Sequence, residues 1–351
     1  MDISDPQSNE PAKPHRRRPR YSGKYPRHFH EKYKEHQPER YAETIAKVAA
    51  SGKTPAGSHR PIMVKEVLEA LQPKPGEIVV DCTLGYGGHA AEILPRLQPG
   101  GRLIGLDADP IEIAKTEPRL RTMGFGQEAF VAVRSNFAGL PKVLASLEIN
   151  QADGILADLG LSSMQLDDPT RGFSSKFEGP LDMRMNPQRG EPAGCLLRKL
   201  SPAQLSDLLA ENADEPRAKE LAAEIAGRSF ASTTNLASAI RAALPHVKRE
   251  EQDLAIRRVF QALRIAVNDE FSALESLLRG IPNCLKPGGR VAILTFHSGE
   301  DRRVKKAFQT GLRAQVFADI ANEVIRPGAE ERHANLRSTS AKLRWAIKAH
   351  L

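Results

Sequence analysis

The chain has 351 residues, a net charge of +8 and 40% hydrophobic residues, which is ordinary for a globular protein larger than one domain. No apolar run approaches the roughly 20 residues that a membrane span needs, so we expect a soluble protein with no membrane partner. Three scattered cysteines, Cys82, Cys195 and Cys284, indicate neither a disulfide framework nor a cysteine metal site. The acidic start MDISDPQSNEP resembles no signal or transit peptide, which favours a cytoplasmic location.

The N-terminal region is strongly basic. Residues 11–40 carry ten Lys or Arg against three acids, and four of the five tyrosines lie between positions 21 and 41. Basic residues mixed with aromatic ones suit an RNA backbone with unstacked bases, but a merely solvated tail has the same composition. We predict a basic, flexible extension over residues 1–58, and both interpretations of it stay open.

From residue 59 onward, helical and strand patterns alternate. Strand patterns are found at 78–82, 102–107, 129–133, 154–159 and 290–296, and helical patterns at 62–71, 88–97, 110–122 and 138–147. Such alternation predicts an α/β fold, a mostly parallel sheet with helices on both faces. Ligands of such sheets bind at the carboxyl ends of the strands.

A segment of some 130 residues separates the fourth strand from the fifth, which is too long for a loop. SPAQLSDLLAE begins like a capped helix, EPRAKELAAEIAGRSF and TTNLASAIRAALP predict two more helices, and an apolar stripe predicts one long helix over 254–278. We therefore predict a small helical insert at 166–258, between two parts of the main domain at 59–165 and 259–351.

The stretch DCTLGYGGH, residues 81–89, follows the first strand as a tight glycine turn. The spacing Gly85-x-Gly87-x-x-Ala90, with Asp107 ending the next strand, fits a nucleotide-binding turn. These positions do not separate NAD from S-adenosylmethionine, because both ligands need a close backbone approach and a carboxylate for the ribose. A plain strand-to-helix turn is the third interpretation.

Two further acids favour S-adenosylmethionine. Asp81 precedes the turn, where it would repel a pyrophosphate but attract an ammonium group, and Asp158 ends the fourth strand. Three carboxylates at neighbouring strand ends suit a cationic cofactor. The alternative for Asp81 and Asp158 is local capping of backbone amides.

Long motifs of the chain are similar to those of a known family. They are HRPIMVKEVLEAL, VDCTLGYGGHAAEIL, LIGLDADPIEIA, SNFAGL, DGILADLGLSSMQLDDPTRGFS, EGPLDMRM, FQALRIAVNDE, LKPGGRVAILTFHSGEDRRVK and SAKLR. In this order they resemble the RsmH (MraW) family of 16S ribosomal RNA cytosine-N4 methyltransferases, over residues 59 to 345. The resemblance implies a class I, Rossmann-like methyltransferase domain with an inserted helical domain that helps to recognise the substrate.

The resemblance also implies the cofactor, the partner and the site. S-adenosylmethionine would bind at Gly87, Gly88, His89, Asp107, Phe137, Asp158 and Gln165. The substrate would be 16S rRNA, in the small ribosomal subunit, methylated on a cytidine of the decoding region; a homodimer is left open. No metal is expected. The rival functions are an NAD-linked oxidoreductase and a non-catalytic RNA-binding or ribosome-assembly protein.

Asp158 is the first candidate for a catalytic residue, and His297 is a second one, together with Glu300 and Asp301. The alternative for these three is a helix N-terminus. Arg171 and Arg184 are either phosphate contacts or internal partners of Asp182. The chain departs from the customary HSLEDR and NPRARSAKLR, which here read HSGEDR and ANLRSTSAKLR.

Overall fold

The computed structural model describes residues 61–350. The predicted basic extension, residues 1–58, therefore lies outside the described residues, and the expectations about it stay predictions.

The described residues contain one seven-stranded sheet. Its strands are β1 (Ile78–Asp81), β2 (Arg102–Asp107), β3 (Phe130–Arg134), β4 (Ala152–Asp158), β5 (Leu285–Thr295), β6 (Phe317–Ile320) and β7 (Lys342–Lys348). They lie in the order β3-β2-β1-β4-β5-β7-β6. The first five strands are parallel, and β7 is antiparallel to both β5 and β6. This confirms the mostly parallel sheet, and it brings the carboxyl ends of β1, β2 and β4 together.

Alternate strand residues bury on opposite faces of the sheet, as the two-residue period of a strand requires. Val79 packs with α1 (Val64–Leu71) and α2 (Gly88–Leu97), whereas its neighbour Val80 packs with α4 (Leu140–Ser146) and with α11 (Glu270–Cys284) on the other face. Both valines are fully buried. The continuous apolar runs of these strands thus reflect a sheet that is covered on both faces.

Helices fill the segment between β4 and β5. In chain order they are α5 (Ser163–Asp167), α6 (Ala193–Lys199), α7 (Pro202–Ala213), α8 (Ala218–Ile225), α9 (Thr233–Ala243) and α10 (Arg249–Asn268), followed by α11. α7 begins with the predicted capping box of Ser201 and Gln204. Helices α6 to α10 share a core that includes Leu209, Leu221 and Leu263. The insert at 166–258 stays a prediction. Its proposed boundary at residue 258 falls within α10.

The single long helix predicted over 254–278 is wrong. α10 ends at Asn268 and α11 begins at Glu270, because Asp269 between them adopts a left-handed conformation with φ of 50°. The Asn268 side chain donates hydrogen bonds to the carbonyls of Met183 and Arg264, which holds the end of α10. Asn and Asp tolerate left-handed conformations better than other residues, so this dipeptide ends the helix although the apolar stripe continues.

The remaining helices are α3 (Pro110–Thr122), α12 (Ser298–Arg313) and α13 (Ala329–Ala334). Within residues 61–350, no helix is both long enough and apolar enough to cross a membrane.

Candidate active site

A cavity of about 880 Å³ opens at the carboxyl ends of β1, β2 and β4. Six of the seven predicted cofactor residues line it: Gly88, His89, Asp107, Phe137, Asp158 and Gln165. The seventh, Gly87, does not line the cavity. Cavities of several hundred cubic ångströms are typical of sites for nucleotide-sized ligands.

The glycine turn is shaped by α3, which packs beneath it. Gly85 and Gly87 both have positive φ, 47° and 71°, which glycine adopts without a steric cost. The Thr116 hydroxyl donates to the Gly85 carbonyl at 2.6 Å. A Cβ on Gly87 would lie 2.7 Å from the Thr116 methyl group. Gly87 is therefore required for close packing of the turn, and its predicted cofactor contact stays a prediction.

Two carboxylates stand at the ends of β1 and β2. Asp107 accepts hydrogen bonds from the backbone N–H of Gly85 at 2.7 Å and of Asp109 at 2.8 Å, and Asp81 accepts one from Thr83 N at 3.1 Å. Loss of hydration raises the pKa of Asp81 to about 6 and the pKa of Asp107 to about 7. The free site thus holds two carboxyl groups that ionise only near neutrality.

His89 and Asp158 form a pair in the cavity wall. His89 Nε2 lies 3.5 Å from Asp158 Oδ2, an ion-pair distance that is too long for a good hydrogen bond. Burial lowers the pKa of His89, but the adjacent carboxylate of Asp158 and the charge of Asp81 outweigh this and raise that pKa above its ordinary value. The other carboxylate oxygen, Asp158 Oδ1, is buried and has no hydrogen-bond partner in the described part of the chain. The Asp158 side chain as a whole is 27% exposed and lines the cavity, so a ligand can reach the carboxylate at its exposed side.

Thr83 connects the two ends of this acid cluster. Its hydroxyl accepts a hydrogen bond from Asp158 N at 2.6 Å and donates to Asp81 Oδ1 at 3.4 Å. The threonine of the DCTLG stretch therefore ties the end of β1 to the end of β4. The sequence interpretation did not single out this residue.

A buried network joins β2 to the loop that follows α5. The Asp109 carboxylate, which is fully buried, accepts from Gln165 Nε2 and from Arg171 Nη1, each at 2.8 Å. Arg171 also donates to the carbonyls of Arg184 and Met185. Arg171 is thus an internal partner, though of Asp109 and not of Asp182. Arg184 forms the predicted internal pair with Asp182, at 2.8 Å.

Asp109 was missed as a site residue, although the sequence carries its signal. An aspartate directly before a proline that begins a helix is an N-cap pattern, and the Asp109 carboxylate does accept from Ile111 N in α3. The ion pair of Asp109 with Arg171 could not be predicted from the sequence, because the two residues are 62 positions apart along the chain.

The outer part of the cavity is built by α10, α11 and the segment before β7. Arg264 and Glu270 form a two-bond ion pair at 2.8 Å and line the cavity with Asn268 and Phe271. On another side of the mouth, the segment 335–340 contributes Leu336 and four other residues. None of these was predicted, since they come from elements distant in sequence.

His297 does not line the cavity, in contrast to the expectation for a catalytic residue. It is the N-cap of α12, and its Nδ1 accepts from Glu300 N at 3.4 Å. The Glu300 carboxylate accepts from Phe296 N at 2.8 Å, and Asp301 pairs with Arg344 at 2.7 Å. Burial raises the pKa of Glu300, but its hydrogen bond with His297 and the nearby cations outweigh this and lower that pKa. The helix N-terminus interpretation accounts for all three residues.

The residues that are present fit a cationic nucleoside cofactor. The cavity offers the carboxylates of Asp81, Asp107 and Asp158, and two buried polar atoms in its wall, His89 Nε2 and Asp158 Oδ1, lack hydrogen-bond partners within residues 61–350. Native proteins rarely leave such atoms unpaired unless a ligand or water completes them. A negatively charged pyrophosphate would be repelled by this set.

A family model for methylases matches residues 56–349, described as the MraW methylase family. The chain belongs to the MraW methylase family. Its fold is accordingly the Rossmann-like methyltransferase fold with S-adenosylmethionine as the cofactor, and the NAD-linked alternative is set aside.

Relatives of this methylase are similar over nearly the full length. The ribosomal RNA small subunit methyltransferase H 1 of Lachnoclostridium phytofermentans is 49% identical over 98% of this chain and 95% of that protein. Methyltransferase H 2 of Alkaliphilus metalliredigens is 48% identical over 95% of this chain and 97% of that protein. Methyltransferase H 1 of Agathobacter rectalis is 46% identical over 96% of this chain and 99% of that protein.

Proposed function

We propose that this methylase transfers a methyl group from S-adenosylmethionine to the exocyclic N4 of one cytidine in the decoding region of 16S rRNA, in the small ribosomal subunit. The substrate class is supported by the relatives, which are named as methyltransferases of small-subunit ribosomal RNA. The cytosine N4 position is supported by the family motifs of the sequence. The observation that carries the proposal is the partly exposed Asp158 carboxylate in the wall of a cavity that Asp81 and Asp107 also line.

Each carboxylate has a role in this proposal. Asp107 accepts hydrogen bonds from the ribose hydroxyls, and Asp81 meets the ammonium of the methionine part. Phe137 lines the adenine side, and Gly88 and His89 form the floor beneath the cofactor. Gln165 acts through Asp109 and Ser162, to which its side chain is already bonded.

When bound, S-adenosylmethionine supplies a methyl group on a positively charged sulfur. The residues of the chain hold the cytosine amine in line with that methyl group. Holding two reactants in the right orientation can by itself lower an activation barrier by ~7 to 11 kcal/mol. As the bond between sulfur and the methyl carbon breaks and the N–C bond forms, the Asp158 carboxylate would take the proton that the amine loses. His89 beside Oδ2 keeps the carboxylate oriented. The target base enters the cavity by leaving its stack.

The test is methyl transfer by the purified protein to small ribosomal subunits from cells that lack the gene. Nucleoside mass spectrometry after nuclease digestion is expected to find N4-methylcytidine at one position. Asp158→Asn is expected to lower the rate at least 100-fold, while Asp319→Asn on the exposed edge strand β6 serves as the matched control. Methylation of a different atom, or full activity of Asp158→Asn, would contradict the proposal.

A further inference from the structure

One leucine projects from the mouth of the cavity. The Leu336 side chain is 81% exposed, and the next most exposed large hydrophobic residue within 61–350 is Met123 at 48%. Leu336 also lines the cavity. An isolated exposed apolar side chain needs no explanation on most surfaces, but its position at the entrance of a site does.

The backbone beneath Leu336 is held firmly. The residues Leu336–Ser340 form a short 3-10 helix, capped by the Asn335 side chain, which accepts from Arg337 N at 3.2 Å. Ser338 is fully buried, and its hydroxyl donates to the Asn335 carbonyl at 2.8 Å. The Arg337 guanidinium donates to Asp167 at 2.7 Å, which ties the segment to α5. The leucine is therefore presented in a fixed position.

The neighbours of Leu336 are polar. Thr339 and Ser340 are exposed and line the same mouth, and Arg337 brings a cation. This is not the broad apolar surface that a protein partner would need, whereas a single apolar side chain among hydroxyl groups and a cation suits a nucleic acid. Leu336 also stands at one of the departures from the customary NPRARSAKLR, in place of the proline.

We propose that Leu336 is a wedge that inserts into the RNA base stack at the place that the target cytidine leaves. The inference rests on the proposed function, because a base inside a stack cannot reach Asp158. Leaving the stack breaks stacking contacts on both sides of the base, and an apolar side chain that fills the gap replaces part of them. Leu336 is thus a positioning residue that stabilises the extruded state and takes no part in the transfer itself.

The test compares Leu336→Ala and Leu336→Met with the wild-type enzyme on unmethylated small ribosomal subunits. We expect Leu336→Ala to lower kcat about tenfold, which is ~1.4 kcal/mol, with little change in subunit affinity or in S-adenosylhomocysteine affinity. Leu336→Met keeps an apolar side chain of similar size and is expected to restore the rate to within twofold to threefold. Leu312→Ala, at an exposed leucine near the far end of α12, is the matched control.

A second substrate separates the wedge from a structural role. On a 15-nucleotide single strand around the mapped cytidine, the base has less stack to leave, so Leu336→Ala is expected to fall below wild type by less than about twofold. If Leu336→Ala and the wild-type enzyme methylate subunits at equal rates, the wedge is overturned and the proposed function is not. A loss confined to subunit affinity would also overturn the wedge, because it indicates a plain surface contact. A wild-type enzyme that does not methylate cytidine at all would overturn the proposed function, and the wedge with it.

Discussion

Cofactor affinity is expected to fall steeply as the pH drops below 8. The site has to offer ionised carboxylates to the ammonium and ribose groups, but burial raises the pKa of Asp107 to about 7 and that of Asp81 to about 6. At pH 6, about one-tenth of Asp107 and about one-half of Asp81 are ionised, so roughly one protein in 20 is ready to bind. At pH 8 nearly all are. The apparent Kd is therefore expected to be about 20-fold weaker at pH 6 than at pH 8.

Isothermal titration with S-adenosylhomocysteine at pH 6, 7 and 8 measures this directly. Asp107→Asn removes the larger contribution, so the variant is expected to bind more weakly at pH 8 but to vary only about twofold over the range. A Kd that is constant between pH 6 and 8 in the wild-type protein would refute the assignment of these carboxylates to the cofactor. A steep dependence that survives in Asp107→Asn would refute the role of Asp107.

The same pKa shifts fix the sign of a stability effect. A carboxyl group whose folded pKa lies above its unfolded value of ~3.9 stabilises the folded state below pH ~4, and this stabilisation is lost as the pH rises through the folded pKa. For Asp81 and Asp107, the free energy of unfolding of the ligand-free protein is therefore expected to fall between pH ~4 and ~7. Urea denaturation at fixed ionic strength tests this, with Asp81→Asn and Asp107→Asn as the variants that remove each group. A free energy of unfolding that rises between pH ~4 and ~7 in the wild-type protein, and does not rise in the two variants, would contradict the expectation.

Substitutions at four positions test the packing of the site. Arg171→Ala leaves the buried Asp109 carboxylate without its cation and is expected to lower the free energy of unfolding by ~3 to 5 kcal/mol. Arg184→Ala is expected to lower it by ~1 kcal/mol or less, because its ion pair is more exposed. Equal losses for the two variants in urea denaturation would be inconsistent with the buried network. Gly299→Leu is expected to cost ~1 to 3 kcal/mol, because a Cβ there would lie 2.7 Å from the Phe271 ring, and an unchanged melting curve would argue against this contact. Thr83→Val removes the hydroxyl between the ends of β1 and β4 and is expected to lower kcat more than Thr83→Ser does, with equal rates counting against a positioning role.

The sequence predicted the elements that repeat a clear local pattern. The five parallel strands are apolar runs, and the capping box at Ser201 depends on a neighbour three residues away. The turn around Gly85 was predicted from its glycine spacing, although its contact with Thr116 of α3 has no local signal. β6 and β7 were missed because their local patterns are short: FADI has four residues and buries only its two ends, and in KLRWAIK the polar–apolar alternation stops after Trp345. Both strands are formed by pairing with a partner already in the sheet.

The candidate site divides in the same way. Asp107 and Asp158 were predicted because they end strands, and parallel strands end at one edge of the sheet. His89 was implied only by the family motif, since it lies in α2 beyond the glycine turn. Asp109 with Arg171, and the outer wall with Leu336, join segments that are far apart in the chain, and no local pattern records such contacts. The sequence around His297 fits two interpretations, because a histidine before a helix with Glu300 three residues later also forms a capping box.

The central claim is tested most directly by mass spectrometry of 16S rRNA nucleosides from a strain in which the gene is deleted. The account predicts that one N4-methylated cytidine disappears, that the wild-type gene restores it, and that a gene encoding Asp158→Ala does not. N4-methylcytidine that remains at the wild-type level in the deletion strain would contradict the account.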